Sequence, residues 1–229
     1  FNDNCFNILS VYDVSIPKNL KKIGDNCFTK SNVKNLTLPD TLVEIGHNNF
    51  PSTLEYIKIP PLIKDFPVDN LLICHKLTKI EVHEDNIYFK VIDGVLYNYD
   101  LTEMIYCPNG KTGTIIIPDS IKKIGDYCFY NNKKLDAIKI PLSVEYIGKY
   151  AFSNIVLNKL IIPNSVKEIG IGCFNNAQIN SLLKLSEAII ELPSPALAAF
   201  SPATISFSRA AAGICIRRRS LRTMEPDVV

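Results

Sequence analysis

The chain has 229 residues, 47% of them hydrophobic and 21% charged, and a formal net charge of only +2. Lysines and acids nearly balance, which excludes the concentrated basic stripe that nucleic-acid binding requires. The seven cysteines and three histidines contain no Cys-x-x-Cys or His-x-x-x-His frame, and there is no glycine-rich phosphate loop, so neither a metal nor a cofactor is expected.

Taken in chain order, the sequence repeats itself from its first residue. "FNDNCF" (Phe1 to Phe6) fits the tail of a unit, with Phe1 in an isoleucine slot and Asn2 in a glycine slot. The chain is therefore expected to begin in mid-repeat, as a fragment of a longer array. "IPKNLKKIGDNCF" (Ile16 to Phe28) and "LPDTLVEIGHNNF" (Leu38 to Phe50) follow. Further on come "IPDSIKKIGDYCF" (Ile117 to Phe129), "IPLSVEYIGKYAF" (Ile140 to Phe152) and "IPNSVKEIGIGCF" (Ile162 to Phe174). Each has an aliphatic-Pro pair, Ile-Gly seven residues later and Phe four beyond the glycine, at a period of 21 to 23 residues. A fixed period of this length marks a stacked-repeat architecture.

The segments before the prolines also repeat. "LEYIKIP" (Leu54 to Pro60), "LDAIKIP" (Leu135 to Pro141) and "LNKLIIP" (Leu157 to Pro163) share L-x-x-I-x-I-P, whose alternation reads as a strand. Proline ends that strand because it has no N–H to donate. The consensus glycine suggests a corner with positive φ, and G-x-x-x-F has room for one helical turn. Two units are degenerate. The one starting at Ile59 has Phe66-Pro67 for Ile-Gly and Leu71 in the Phe slot, which predicts a kink. The next strand carries Leu77, Ile80 and Val82, and an insertion at about 84–112 follows, with Asp93-Gly94 marking a β-hairpin. The pattern resumes at Ile115 and Ile117.

No single unit of about 22 residues buries enough apolar surface to stand alone, so the units must stack. The expected product is a solenoid of about seven rungs, one short parallel strand per rung, roughly 35 Å long. The combined pattern L-x-x-I-x-I-P-x-x-V-x-x-I-G-x-x-x-F, over residues 1–184, resembles the BspA-like leucine-rich repeats of bacterial and protist surface proteins. Val91 to Pro118 resembles an insertion common in that family. The resemblance implies a right-handed repeat solenoid of mainly short parallel β-strands with helical turns and one inserted β-hairpin. It also implies a non-catalytic module that binds proteins, such as a host receptor or matrix component, at the cell surface or after secretion.

Cys5, Cys27, Cys128 and Cys173 share a slot that Asn49 and Ala151 fill elsewhere, so they read as small interior packing residues. Cys128 and Cys173 lie two rungs apart, near 10 Å, too far for a disulfide; Cys5 and Cys27 are close enough that their pairing stays open. Unpaired cysteines support an alternative, a cytoplasmic protein-interaction scaffold. Cys74, His75 and His83 read as loop residues. Asn35-Leu36-Thr37 is a glycosylation sequon, weakened by lying within a strand.

A partner would meet the outward strand positions. These are Asn35 and Thr37, Tyr56 and Lys58, Lys79 and Glu81, Thr114 and Ile116, Ala137 and Lys139, and Lys159 and Ile161. The candidate contacts are Tyr56, Lys58, Lys79, Ile116, Lys139, Lys159 and Ile161, joined by Tyr97 and Tyr99 of a protruding hairpin. A merely solvated sheet face is the competing reading. Beyond Leu185 the composition changes: 20 lysines and no arginine precede Ser186, and five arginines with no lysine, asparagine or tyrosine follow. Residues 186–229 are therefore expected to be an Ala/Arg/Pro tail, disordered or of foreign origin, outside the repeat domain of residues 1–185. Leu192 to Ser208 is short and broken by three prolines, so membrane anchoring is not expected.

Overall fold

Each regular rung contributes two short extended segments, one on either side of its proline turn. The computed structural model describes residues 1–5, 12 and 14–184. The expected strands build a first ladder of three separate parallel sheets. Asn35–Thr37, Tyr56–Ile59 and Lys79–Val82 pair in parallel. So do Gly113–Ile116 with Leu135–Lys139, and Val156–Ile162 with Gln178–Lys184. The register stacks like on like: Leu36, Ile57 and Ile80 make one buried column, and Ile115 pairs with Ile138 in another.

A second ladder corrects the expectation of one strand per rung. Lys22–Ile23 pairs with Glu44–Ile45, and Lys123–Ile124, Tyr146–Ile147 and Glu168–Ile169 pair in series. After each proline the chain turns through a bond such as Leu20 N–H to the Pro17 carbonyl (3.1 Å) or Ile121 N–H to Pro118 (3.1 Å). It then extends again for two residues before the glycine.

Two further expectations are corrected at the Ile-Gly corner. Among the described residues there is no α-helix, only a 3-10 turn at Val68–Leu71; G-x-x-x-F is a tight turn. Its left-handed residue is not the consensus glycine but the one two positions later: Asn26 (φ 58), Asn48 (53), Tyr127 (58), Tyr150 (52) and Gly172 (65). The glycine is required because the rungs touch there. A Cβ on Gly148 would lie 2.5 Å from the Asp126 amide nitrogen and 2.6 Å from the Gly125 carbonyl carbon. Asp126 Oδ1 accepts the Lys149 N–H (2.8 Å), as Asp25 Oδ1 accepts that of His47 (2.7 Å). These carboxylates satisfy corner amides left over by the turn.

The kink expected at Phe66-Pro67 is an interruption of the second ladder, which Pro67 cannot join for want of an N–H. Phe66 is buried against Phe50 (6.1 Å between centroids), and Leu71 fills the Phe slot with no exposed surface. Asparagine side chains replace the missing strand bonds. Asn70 Oδ1 accepts the Asn49 N–H (2.5 Å) while its Nδ2 donates to the Gly46 carbonyl (2.9 Å), and Asn49 Oδ1 accepts the Cys27 N–H (2.8 Å).

The insertion is part of the rod. Phe89–Ile92 and Val95–Asn98 form an antiparallel hairpin around Asp93 (φ 49) and Gly94 (φ 73). Glu103–Tyr106 pairs with Val95–Asn98 on one side and with Lys123–Ile124 on the other, which places the hairpin in the second ladder. Its alternate residues face two separate cores. Phe89, Leu96 and Tyr106 join a core that begins at Ile23, whereas Val95, Tyr97 and Met104 join one that runs to Ile179.

All six cysteines among the described residues are free, so Cys5 and Cys27 are not bridged. Cys27, Cys74, Cys107, Cys128 and Cys173 are buried, and Cys5 is exposed. Burial pushes the Cys74, Cys107 and Cys173 thiols up to about 12, and that of Cys128 well above its ordinary range. Such thiols carry almost no reactive thiolate at neutral pH. Iodoacetamide treatment of the native protein, followed by peptide mapping, is expected to label Cys5 and to leave Cys128 unmodified until the protein unfolds. Fast labelling of Cys128 in the folded state would contradict the packing role.

Candidate partner-binding surface

The outward positions of the first ladder divide into two groups, because Lys79–Val82 and Gly113–Ile116 belong to different sheets. In the first group Asn35, Tyr56 and Lys79 share one register column, and Thr37, Lys58 and Glu81 the other. The Tyr56 hydroxyl donates to Glu81 Oε2 (2.8 Å), Lys79 Nζ lies 2.5 Å from Glu81 Oε1, and the same ammonium stands 5.6 Å from the centre of the Tyr56 ring. Burial, followed by the bond to Glu81, pushes the Tyr56 phenol up to about 12 and keeps it a donor. The Lys79 contact, then the Tyr56 bond, holds the Glu81 carboxyl below its ordinary value. Lys58 pairs in register with Glu81. This patch holds one acid beside its two lysines, ion-paired to Lys79 alone.

The second group has no acid in its register columns. Thr114 and Ala137 share one column, and Ile116 and Lys139 the other; in the following sheet Lys159 pairs in backbone register with Ser181, and Ile161 with Leu183. Ile116 is 67% exposed, Lys139 and Lys159 are exposed, and Ile161 is half-buried. Among the described residues neither Lys139 nor Lys159 has an acid within ion-pair distance. The structure thus brings Ile116, Lys139, Lys159 and Ile161 onto adjacent strands, apart from Tyr56, Lys58 and Lys79.

The hairpin contacts separate. Tyr97 is only 2% exposed, so it is a core residue and not a contact. It pairs in register with Met104, and the rungs on that side close over its ring. Tyr99 is exposed, with Lys90 Nζ 4.0 Å from its ring centre; it follows a strand of the second ladder and lies off the Tyr56 sheet. Cys74 points inward, its Sγ 3.4 Å from the Asn70 carbonyl, whereas exposed His75 meets Asn131 at 3.0 Å. Asn35 of the sequon is exposed on its strand.

Two surface features escaped the sequence reading. Tyr127 and Tyr150 stack at 5.3 Å with an interplanar angle of 12°, and Tyr130 meets Tyr127 edge-on at 5.9 Å. Leu142 is 70% exposed directly after Pro141. The available signal was slot comparison: tyrosine stands where Asn26 and Asn48 stand in other rungs, and leucine where Lys18 and Asn164 stand.

Two segments, residues 1–112 and 106–214, match the BspA type leucine-rich repeat region, in six copies. The chain belongs to the BspA-type leucine-rich repeat family. The second match runs past Leu185, and the expected boundary there, like the tail of residues 186–229, lies outside the described residues. No curated protein matches the chain. This BspA-type array is similar to a leucine-rich repeat protein from Eubacterium ventriosum, at 26% identity and TM-score 0.65, covering 74% of this chain and 53% of that one. It is also similar to the pneumococcal vaccine antigen PcpA, at 26% identity and TM-score 0.55, covering 72% and 54%. The chain spans about half the length of each of these proteins. As a BspA-type array it is a repeat module of the protein-interaction kind.

Proposed function

We propose that this chain is the non-catalytic binding part of a cell-surface or secreted adhesion protein, holding a protein partner such as a host receptor or matrix component on its first strand ladder. The observation that carries this reading is the outward sheet face, a rigid surface that presents lysines without acid partners beside exposed isoleucine. Similarity to PcpA, a vaccine antigen by name, supports the surface location.

The alternative, a cytoplasmic scaffold, drew on the free cysteines. Five of these are buried, where an oxidising compartment cannot readily reach them, so their presence does not favour one compartment over the other. An antibody against the Asp93-Gly94 turn separates the two readings, since the Asp93 side chain is 79% exposed. Staining of intact cells is expected. Staining only after permeabilisation would sink the adhesion reading and leave the scaffold.

A further inference from the structure

We infer that the partner docks on the second half of the sheet face, over Ile116, Lys139, Lys159 and Ile161, and that it offers an acidic segment with aliphatic side chains beside its carboxylates. This rests on the reading of the sheet face as the binding surface and adds a location and a chemistry to it. The location follows from charge. Glu81 already engages Lys79 and Tyr56 and stands in register beside Lys58, so an incoming carboxylate would displace a bonded one at Lys79 and would meet a like charge beside Lys58, which has no ion pair of its own. Lys139 and Lys159 have no ion-paired acid among the described residues, and the register columns of Thr114, Ile116, Ala137, Lys139, Lys159 and Ile161 hold no acid; exposed Asp136 stands outside them, at the bulge of the same strand.

The chemistry follows from what separates the lysines. Ile116 lies directly beside Lys139 in register, and the strands Leu135–Lys139 and Val156–Ile162 pack side by side, bringing Ile161 to the next rung. Neighbouring strands stand about 4.8 Å apart, so apolar and cationic groups succeed one another within reach of one short segment. A lone exposed isoleucine means nothing; exposed Ile116 and half-buried Ile161, on either side of unpaired Lys139, favour a partner that covers apolar surface while it neutralises charge. A sulfated polysaccharide would meet the charge and leave the isoleucines wet.

The test uses the full chain and fluorescence anisotropy with three probes: a labelled peptide alternating glutamate and leucine, poly-glutamate of equal length, and heparin. The glutamate–leucine peptide is expected to bind more tightly than either. Lys139→Glu with Lys159→Glu should weaken it by about tenfold or more, and Ile116→Ser with Ile161→Ser by about fivefold, while Lys58→Glu leaves it within about twofold. Heparin or poly-glutamate binding as tightly, with no response to the isoleucine changes, would reduce the site to a simple cationic patch and overturn the proposal. Equal weakening by Lys58→Glu would overturn the location while keeping the face as the binding surface. Peptide binding untouched by every face variant would overturn both this inference and the reading on which it rests, and no peptide binding at all would overturn the chemistry.

Discussion

Phe152→Ala is expected to destabilise the protein by about 4 kcal/mol. Phe152 has no exposed surface and stacks between Phe129 (5.1 Å, 7°) and Phe174 (5.6 Å, 6°). Truncation removes the transfer free energy of the ring, leaves a cavity and breaks two aromatic contacts of about 0.5–1.5 kcal/mol each. The rungs on either side are held at strand spacing by backbone bonds, including Phe129 N–H to the Ala151 carbonyl and Phe152 N–H to the Cys173 carbonyl, both 2.8 Å. They cannot close over the gap. Urea unfolding of the full chain measures the effect. A loss under about 1 kcal/mol would mean that the phenyl ladder does not hold the rungs together.

The second large effect is expected at a corner. Gly148→Ala places a methyl group 2.5 Å from a backbone nitrogen and 2.6 Å from a backbone carbonyl carbon of the neighbouring rung, and no side-chain movement relieves that. A loss of about 3 kcal/mol or more follows from separating two rungs to make room. Gly113→Ala is the control. Gly113 has φ +85 and nothing within 4 Å of an added Cβ, so its cost is the conformational one, about 1 kcal/mol. If Gly113→Ala proved the more damaging, backbone conformation and not rung contact would be what demands glycine.

These two residue types show where sequence reasoning succeeds and where it stops. The Phe slot was legible because a large apolar ring that returns once per period must face the interior shared by the stacked rungs. The glycine was legible as a position but not as a cause. A residue that must lack a Cβ looks the same whether its own φ or a neighbour 22 residues away forbids one. The second ladder was invisible for a different reason: strands such as Lys22–Ile23 have two residues, too few to show a period. Tyr97 was misplaced because a hairpin flanked by solvent exposes one face, whereas this one lies between two cores and buries both. On the sheet face, alternation placed Ile116, Lys139, Lys159 and Ile161 at outward strand positions, where the structure has them. It could not reveal that Glu81 holds Tyr56 and Lys79, which depends on a contact between residues 25 apart in the chain.

The two cores give the rod a bulkhead. Since Leu96 and Tyr106 seal one compartment and Val95 and Met104 the other, the buried apolar side chains on either side pack against the hairpin, while at the surface His75 meets Asn131 across it. Duplication or loss of a 22-residue unit in one compartment therefore leaves the apolar packing of the other unchanged. An array built this way can lengthen towards one end over evolutionary time while the face carrying Lys139 and Lys159 keeps its geometry.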